Sequence, residues 1–358
     1  MSGAAADPGR DAAPAAGPGG RLLTGLAVAW LVLVVAHLLL SGRWWPWLAV
    51  DLAPPLVFVL VPAVLLAVAG PRRRFRAAVA ATAALALGAG LSGLHPSALW
   101  TGRPAAPADA VRVLAWNTEA WHLSGDPEGF VRYLAAQDAD VYLLQEYQPA
   151  DQAGTPALTA LDAELLGRLL PDHRAVAVGE LLTLSRLPVT GVRPLPAAPR
   201  PDTPWIEVYR AVKSLRVDVR VGGRTLSVYN AHLPVPLELD RDPATAGFYA
   251  AIATRHAARL AQYRALAADV AANPNPVLLA GDLNTTPAMG ELRELPDRLT
   301  PAVEGPLSAS WPVALPLWRL DWAFTDRVRV HAYQLHDPPG MSDHRVQRLV
   351  VSLDRSTP

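Results

Sequence analysis

From Leu22 to Gly42 the chain carries no formally charged side chain, and the run LLTGLAVAWLVLVVAHLLL has about the ~20-residue length of a helix that crosses a hydrocarbon core. This pattern predicts a first transmembrane helix over about 22–42. A second, over about 50–70, follows Trp44, Trp45 and Trp47, aromatic residues suited to a headgroup boundary, and its Pro54, Pro55 and Pro62 predict kinks. A third, over about 77–99, is rich in Ala, Gly and Leu and suits close helix packing. Past Val111 the period changes. Val111, Val113, Ala115 and Asn117 alternate with Arg112, Leu114 and Trp116, which predicts a strand. Leu215–Val221 and Thr225–Ala231 flank Gly222–Gly223 as a hairpin, and Val141–Gln145 and Val277–Ala280 read as short buried strands. Helices are predicted over 127–137, 157–170 and 246–272. Strands and helices that interleave without an internal repeat predict a layered α/β domain.

Composition narrows the chemistry. The 358 residues are 51% hydrophobic and 18% charged, too apolar for a disordered chain. The absence of cysteine excludes a disulfide scaffold, a thiol nucleophile, cysteine-ligated zinc and an iron–sulfur cluster. Net charge is zero, but residues 22–100 hold almost none of the charges. Residues 1–20 read as a disordered tail, 101–109, with Pro104 and Pro107, as an extended linker, and 110–354 as one domain. Arg72, Arg73, Arg74 and Arg76 crowd the loop between the second and third predicted spans, and Arg10 and Arg21 lie before the first. By the positive-inside rule both segments are cytoplasmic, so the expectation is a multi-pass cell-membrane protein with its large domain outside the cytoplasm. A cleaved signal peptide fits poorly, since three apolar runs follow one another.

Asparagine occurs five times, and three of the five close a predicted strand: Asn117 in VLAWNTEA, Asn230 in SVYNAHLP and Asn284 in LLAGDLNTTP. Beside them stand Glu119, Glu146 ending VYLLQEY, His232, Asp282, Asp321 in RLDWAF, and Asp343–His344 in MSDHR. Such an oxygen-rich set suits Mg²⁺ or Mn²⁺, hard ions commonly bound by a few carboxylates together with substrate phosphate. Phosphoester hydrolysis is the chemistry it favours.

The ordered series WN, QE, SR-x-P, N-x-H, GD-x-N, LD-x-x-F and SDH resembles the motifs of the endonuclease/exonuclease/phosphatase (DNase I-like) superfamily over roughly Val111 to Val351. GDLN or SDH alone is short enough to arise by chance, whereas the series in this order is not. The resemblance implies a four-layer α/β/β/α sandwich behind the three transmembrane helices. It also implies roles: Glu146 as a metal ligand with Asn117 and Glu119 beside it, Asp282 orienting the attacking water, and Asn284 donating to a phosphate oxygen. His344 corresponds to a phosphate-contacting histidine with Asp321 as its partner, and His232 to one that assists the leaving oxygen. Asn230 is expected to position the His232 strand and touch phosphate, and Asp343 to lie near a metal. Arg186, in the SR-x-P motif, is open between a structural and a catalytic role. His37, His95, His122, His173, His256, His331 and His336 match no motif. Trp205, Trp311, Trp318 and Trp322 either line a substrate groove or pack in the core.

Charge bears on the substrate. From Ala108 onward 24 Lys and Arg face 29 Asp and Glu, 24 − 29 = −5, with Lys213 the only lysine and no basic cluster. A non-specific grip on nucleic acid needs a basic footprint, so nucleic acid is disfavoured as partner. Tethering to the bilayer raises the effective concentration of membrane-embedded substrates. Apolar spans followed by this domain also resemble the membrane-bound teicoplanin-resistance (VanJ-type) proteins of actinobacteria, which implies a lipid-linked phosphate or cell-envelope precursor as substrate. The alternatives are a membrane-tethered extracellular nuclease and an inactive binding or scaffold module. The second is disfavoured because Glu146, Asp282, Asn284, Asp321 and His344 are all present.

Overall fold

The computed structural model describes residues 18–70, 74–121, 125–148, 158–196, 203–237 and 242–354. The chain opens with α1 (Pro18–Leu40), the short turn α2 (Leu48–Asp51), α3 (Val57–Ala69) and α4 (Phe75–Ala89), which pack as a bundle. On α4 the buried residues are Ala77, Ala80, Ala81, Ala84 and Gly88, a stripe of small side chains at helical spacing that lets neighbours approach closely. A Cβ on Gly88 would lie 2.3 Å from the carbonyl oxygen of Phe58. Leu23 and Ala27 meet Ala69, Ala77 and Ala81 at one end of the bundle, while Val34, Phe58, Ala84 and Leu91 cluster with Ala288 at the other.

Three spans were expected over about 22–42, 50–70 and 77–99, and this is corrected. Among the described residues only α1, with 23 residues, is long and apolar enough to cross a membrane; α3 and α4 have 13 and 15. At 1.5 Å per residue those two reach roughly 20 and 22 Å, short of a ~30 Å core. Pro54 and Pro55 hold back the second helix to Val57, and after Ala89 the chain turns through Gly90 and Gly93 instead of continuing. Arg72, Arg73 and nearly all of the expected tail lie outside the described residues, and 101–108 carries no helix or strand.

The larger unit follows in the order β1 (Val111–Asn117), α5 (Pro127–Ala136), β2 (Val141–Gln145), α6 (Ala160–Leu169), β3 (Arg174–Val178), β4 (Leu181–Ser185), β5 (Val189–Leu195), α7 (Trp205–Ala211), β6 (Ser214–Val221), β7 (Arg224–His232), α8 (Ala246–Ala272), β8 (Val277–Asp282), β9 (Thr300–Pro301), β10 (Asp321–Asp326), β11 (Val328–His336) and β12 (Val346–Leu353). Two mixed six-stranded sheets form, ordered β11-β12-β1-β2-β4-β3 and β5-β6-β7-β8-β10-β9. Strand alternation decides the layers. Val111, Val113 and Ala115 of β1, Val141 and Leu143 of β2, Leu226 and Val228 of β7, and Leu278 and Ala280 of β8 fill the space between the sheets. The opposite faces carry α5 and α6 through Leu114, Trp116, Tyr142 and Leu144, and α8 through Tyr229, Ala231 and Leu279. The result is the expected α/β/β/α sandwich.

Bundle and sandwich are joined next to the loop that follows β8. His37 Nε2 lies 2.8 Å from the Ala288 carbonyl oxygen, and the Gly290 amide donates to Ser41 Oγ at 2.8 Å. Gly42, at φ +72°, presses on Gly290, where a Cβ would come within 2.6 Å of the Gly290 carbonyl carbon. His95 N donates to Pro306 O at 2.8 Å, and Leu94 bridges to Leu307.

Candidate active site

The inter-sheet face is apolar along its middle and polar at one end. Asn117 and Gln145 are register partners where β1 and β2 end, His232 pairs with Asp282 across β7 and β8, and Asp282 pairs with Asp321 across β10. In-register partners share a face, so the alternation that builds the core also gathers these side chains. Gly281 makes the last step possible. At φ +146° it sits so close to β7 that a Cβ would be 2.0 Å from the Ala231 oxygen. Glu146 and Asn284, at φ 49° and 47°, are non-glycine residues in left-handed backbone, a strained geometry that clusters at functional sites.

Two imidazole–carboxylate pairs flank Asp282. His344 Nδ1 lies 2.9 Å from Asp321 Oδ2, and its Nε2 lies 3.8 Å from Asp282 Oδ2. His232 Nδ1 lies 3.0 Å from Glu180 Oε1, with Nε2 3.2 Å from Glu146 Oε1 and 3.7 Å from Asp282 Oδ2. Burial pushes the His344 imidazole toward neutrality, but Asp321, with Asp282 and Asp343, outweighs it and holds the pKa up at about 10. His232 is held at about 9 in the same way, burial being outweighed by Glu180, Glu146 and Asp282. Burial of Asp282 raises its pKa above the carboxylate range; His344 and His232 oppose the shift while Asp321 adds to it. Asn284 steadies this carboxylate, its amide donating to Oδ1 at 2.7 Å and its Nδ2 to Oδ2 at 3.1 Å. Asn117 Nδ2 donates to both Glu146 Oε1 at 2.9 Å and Asp282 Oδ2 at 3.1 Å. On the rim Glu119 Oε2 accepts from the Asp343 amide at 3.1 Å, and Trp311 Nε1 donates to Asp343 Oδ2 at 2.6 Å.

Nine of the ten expected site residues therefore converge; Asn230 does not reach the pocket. It has the same strand parity as His232 but lies one residue pair deeper, under the other sheet. There its Nδ2 donates to Leu144 O at 3.0 Å and Leu182 O at 3.2 Å, and its Oδ1 accepts from Gln145 at 2.6 Å. It ties the sheets together, which corrects the expected phosphate contact. Arg186 pairs with Asp138 at 2.7 Å and Asp140 at 3.0 Å and takes no part in the pocket. Trp311 and Trp318 line the pocket, whereas Trp205 and Trp322 are buried, Trp322 stacked on Phe324.

Three positioning residues, Glu180, Lys213 and Arg259, were given no role in the sequence reading. Glu180 is fully buried between His232 and Lys213, and the two cations hold its pKa at about 2 against the burial that raises it. The one lysine in an arginine-rich chain was the available signal. Arg259 of α8, also buried, donates to Asn284 O at 3.1 Å and Thr285 Oγ1 at 2.7 Å, fixing the loop after Asp282.

Ligand atoms of Glu146, His232 and Asp282, and again of Asp282, Asp321 and His344, lie within 4.8 Å of one another. The Glu146 side chain is one-third exposed, Glu119 is exposed and Asp343 about half so. Carboxylates open to the pocket, with an amide beside them and no thiolate, fit a hard divalent cation.

Buried carboxylate, two charged imidazoles and open acidic rim are the equipment of a phosphoester hydrolase. The chain belongs to the endonuclease/exonuclease/phosphatase family, whose model matches residues 114–344. Its fold is similar to that of an endonuclease/exonuclease/phosphatase from Beutenbergia cavernae, with 21% identity, TM-score 0.50 and coverage of 68% of this chain and 72% of that one. Sphingomyelinase C from Streptomyces griseocarneus has 21% identity and TM-score 0.44, covering 67% and 99%. A humanized D. rerio TDP2 has 17% identity and TM-score 0.49, covering 68% and 100%. At 21% identity the likeness to the Beutenbergia protein speaks for the fold alone. No curated protein sequence matches the chain.

Proposed function

We propose that the protein is a membrane-anchored, divalent-metal-dependent phosphoester hydrolase that acts on a lipid-linked phosphate or cell-envelope precursor outside the cytoplasmic membrane. The reading is carried by one observation: the acidic site lies at the foot of a helix bundle whose outer surface is apolar. Leu22, Leu26, Val32, Leu39, Leu60, Val64, Val68 and Phe75 are all exposed on it, the kind of apolar surface that marks a membrane or partner interaction. In this reading α1 crosses the bilayer with α3 and α4 packed beside it. Arg21, at the start of α1, lies at the end remote from the sandwich, the cytoplasmic end by the positive-inside rule. Trp44, Trp45 and Trp47 belong to the headgroup boundary at the opposite end.

In the reaction Asp282 aligns the attacking water and accepts its proton, a task for which a raised pKa suits it. Asn284 donates to a non-bridging oxygen. His344, kept cationic by Asp321, stabilises charge on the phosphate oxygens before any reorganisation is needed. His232, kept cationic by Glu180, faces the leaving oxygen and supplies its proton. Glu146 with Asn117, and Glu119 and Asp343 on the rim, are the groups to hold the cation. When bound, Mg²⁺ or Mn²⁺ polarises a phosphate oxygen and offsets developing charge.

The test uses the full chain in nanodiscs with Mg²⁺, offered a polyprenyl diphosphate and, separately, plasmid DNA. Phosphate release from the lipid with intact DNA, abolished in Glu146→Ala, is the expected result. Nicked DNA with untouched lipid makes the protein a tethered nuclease instead. A reporter fused after Pro358 should be active only outside the membrane.

A further inference from the structure

We propose that the pocket above Asp282 holds a subsite for hydrocarbon joined directly to the scissile phosphate, with Leu52 of the bundle and Val235 of the sandwich as its specificity determinants. This rests on the phosphoester-hydrolase reading. The cavity encloses about 590 Å³, well within the range of small-molecule sites. Its floor is the polar group of Glu146, Asp282, Asn284 and His344, but its walls are Leu52, Val235, Leu237, Met289, Trp311 and Trp318. The hydrolytic chemistry asks for no such walls. Asn117, Glu119, Thr286 and Asp343 also line the pocket, but they lie with the acidic group, and the six large apolar side chains around it suit an alkyl or isoprenyl phosphate better than a sugar-flanked one.

The wall spans both units. Leu52 lies in the turn after α2, half-exposed, and its carbonyl oxygen accepts from Trp318 Nε1 at 3.3 Å. The contact of Gly42 with Gly290 and the bond from His95 to Pro306 hold the bundle in that position. At this same end Leu39 and Trp44 are exposed, so hydrocarbon leaving the pocket past Leu52 continues onto the apolar exterior of the bundle. The occupant is therefore a single hydrocarbon chain with a phosphate at its end, entering from the bundle side.

The experiment measures binding of inorganic phosphate and of n-alkyl phosphates from butyl to octyl to the full chain in nanodiscs with Mg²⁺, by calorimetry. Wild-type affinity should rise at least about tenfold across the series, since each buried methylene contributes up to about fourfold. Leu52→Glu and Val235→Glu, changes at two partly exposed positions on different units, should flatten that dependence, and melting curves check that both fold. Leu161→Glu, at an exposed position on α6, adds the same charge far from the pocket and should keep it. Equal affinities across the wild-type series overturn the subsite. A chain-length dependence that persists in both wall variants also overturns it, because it then reports partition into the bilayer. Failure of inorganic phosphate and every alkyl phosphate to bind overturns the hydrolase reading as well.

Discussion

The helix bundle and the sandwich bury opposite things. In the sandwich large side chains such as Trp116, Tyr142 and Leu143 are fully inside. In the bundle the inside of α4 is alanine and glycine, while Leu60, Val64 and Phe75 face outward. The proposed anchoring accounts for the inversion, because hydrocarbon gives no reason to hide leucine and close helix contact in it depends on small residues. The site lies where the two regimes meet, with carboxylates contributed by the sandwich and one apolar wall by the bundle.

The comparison breaks most decisively if chemistry does not reside in the sandwich. Asp282→Asn should reduce hydrolysis by about 10²- to 10⁴-fold, the usual weight of a general base, while membrane association is unchanged. Initial rates alongside fractionation decide it, and near-wild-type turnover would remove Asp282 from its role.

Next in size is Asp321→Asn, for which we expect a loss of about 10- to 100-fold, the smaller weight of a positioning partner. It also carries a pH signature. His344 has a folded pKa of about 10, above its ordinary value, so the pair's contribution to stability is full below about pH 6.5 and is lost as pH rises through about 10. Melting temperatures of wild type and D321N should therefore differ most at about pH 6.5 and converge toward pH 10. A constant gap would show that the imidazole is not held cationic.

Gly88→Val sharpens the bundle side. Its Cβ would press on the Phe58 carbonyl, and overpacking of this kind costs about 1–3 kcal/mol. Val64→Leu, on the outward face, should stay within about 0.5 kcal/mol. Unfolding in detergent measures both, and equal sensitivity at the two positions would dissolve the contrast. The smallest effect is expected for Arg186→Ala, whose partners Asp138 and Asp140 lie away from the pocket; phosphoester hydrolysis should be unchanged.

Much of the sandwich was legible because strand alternation is a local property: Val111–Asn117 and Val141–Gln145 are strands as read, and Gly222 and Gly223, both at positive φ, turn the hairpin. The site was legible because polar residues end those strands on the inward parity. Asn230 was misread for the same reason, since parity gives the direction of a side chain but not its depth. Glu180 left no local trace. It follows Gly179 in a tight turn, and its partners Lys213 and His232 are reached only through the sheet.

By itself the sequence determined the alternating strands, the apolar helices and the oxygen- and nitrogen-based chemistry, because each follows from the preferences of residues near one another in the chain. Tertiary structure decided how far the apolar helices extend between their prolines and glycines, and which carboxylate faces which imidazole. It also decided that Leu52 forms a wall of the pocket. Those outcomes depend on cross-strand register and on packing between distant segments, and no local pattern encodes either.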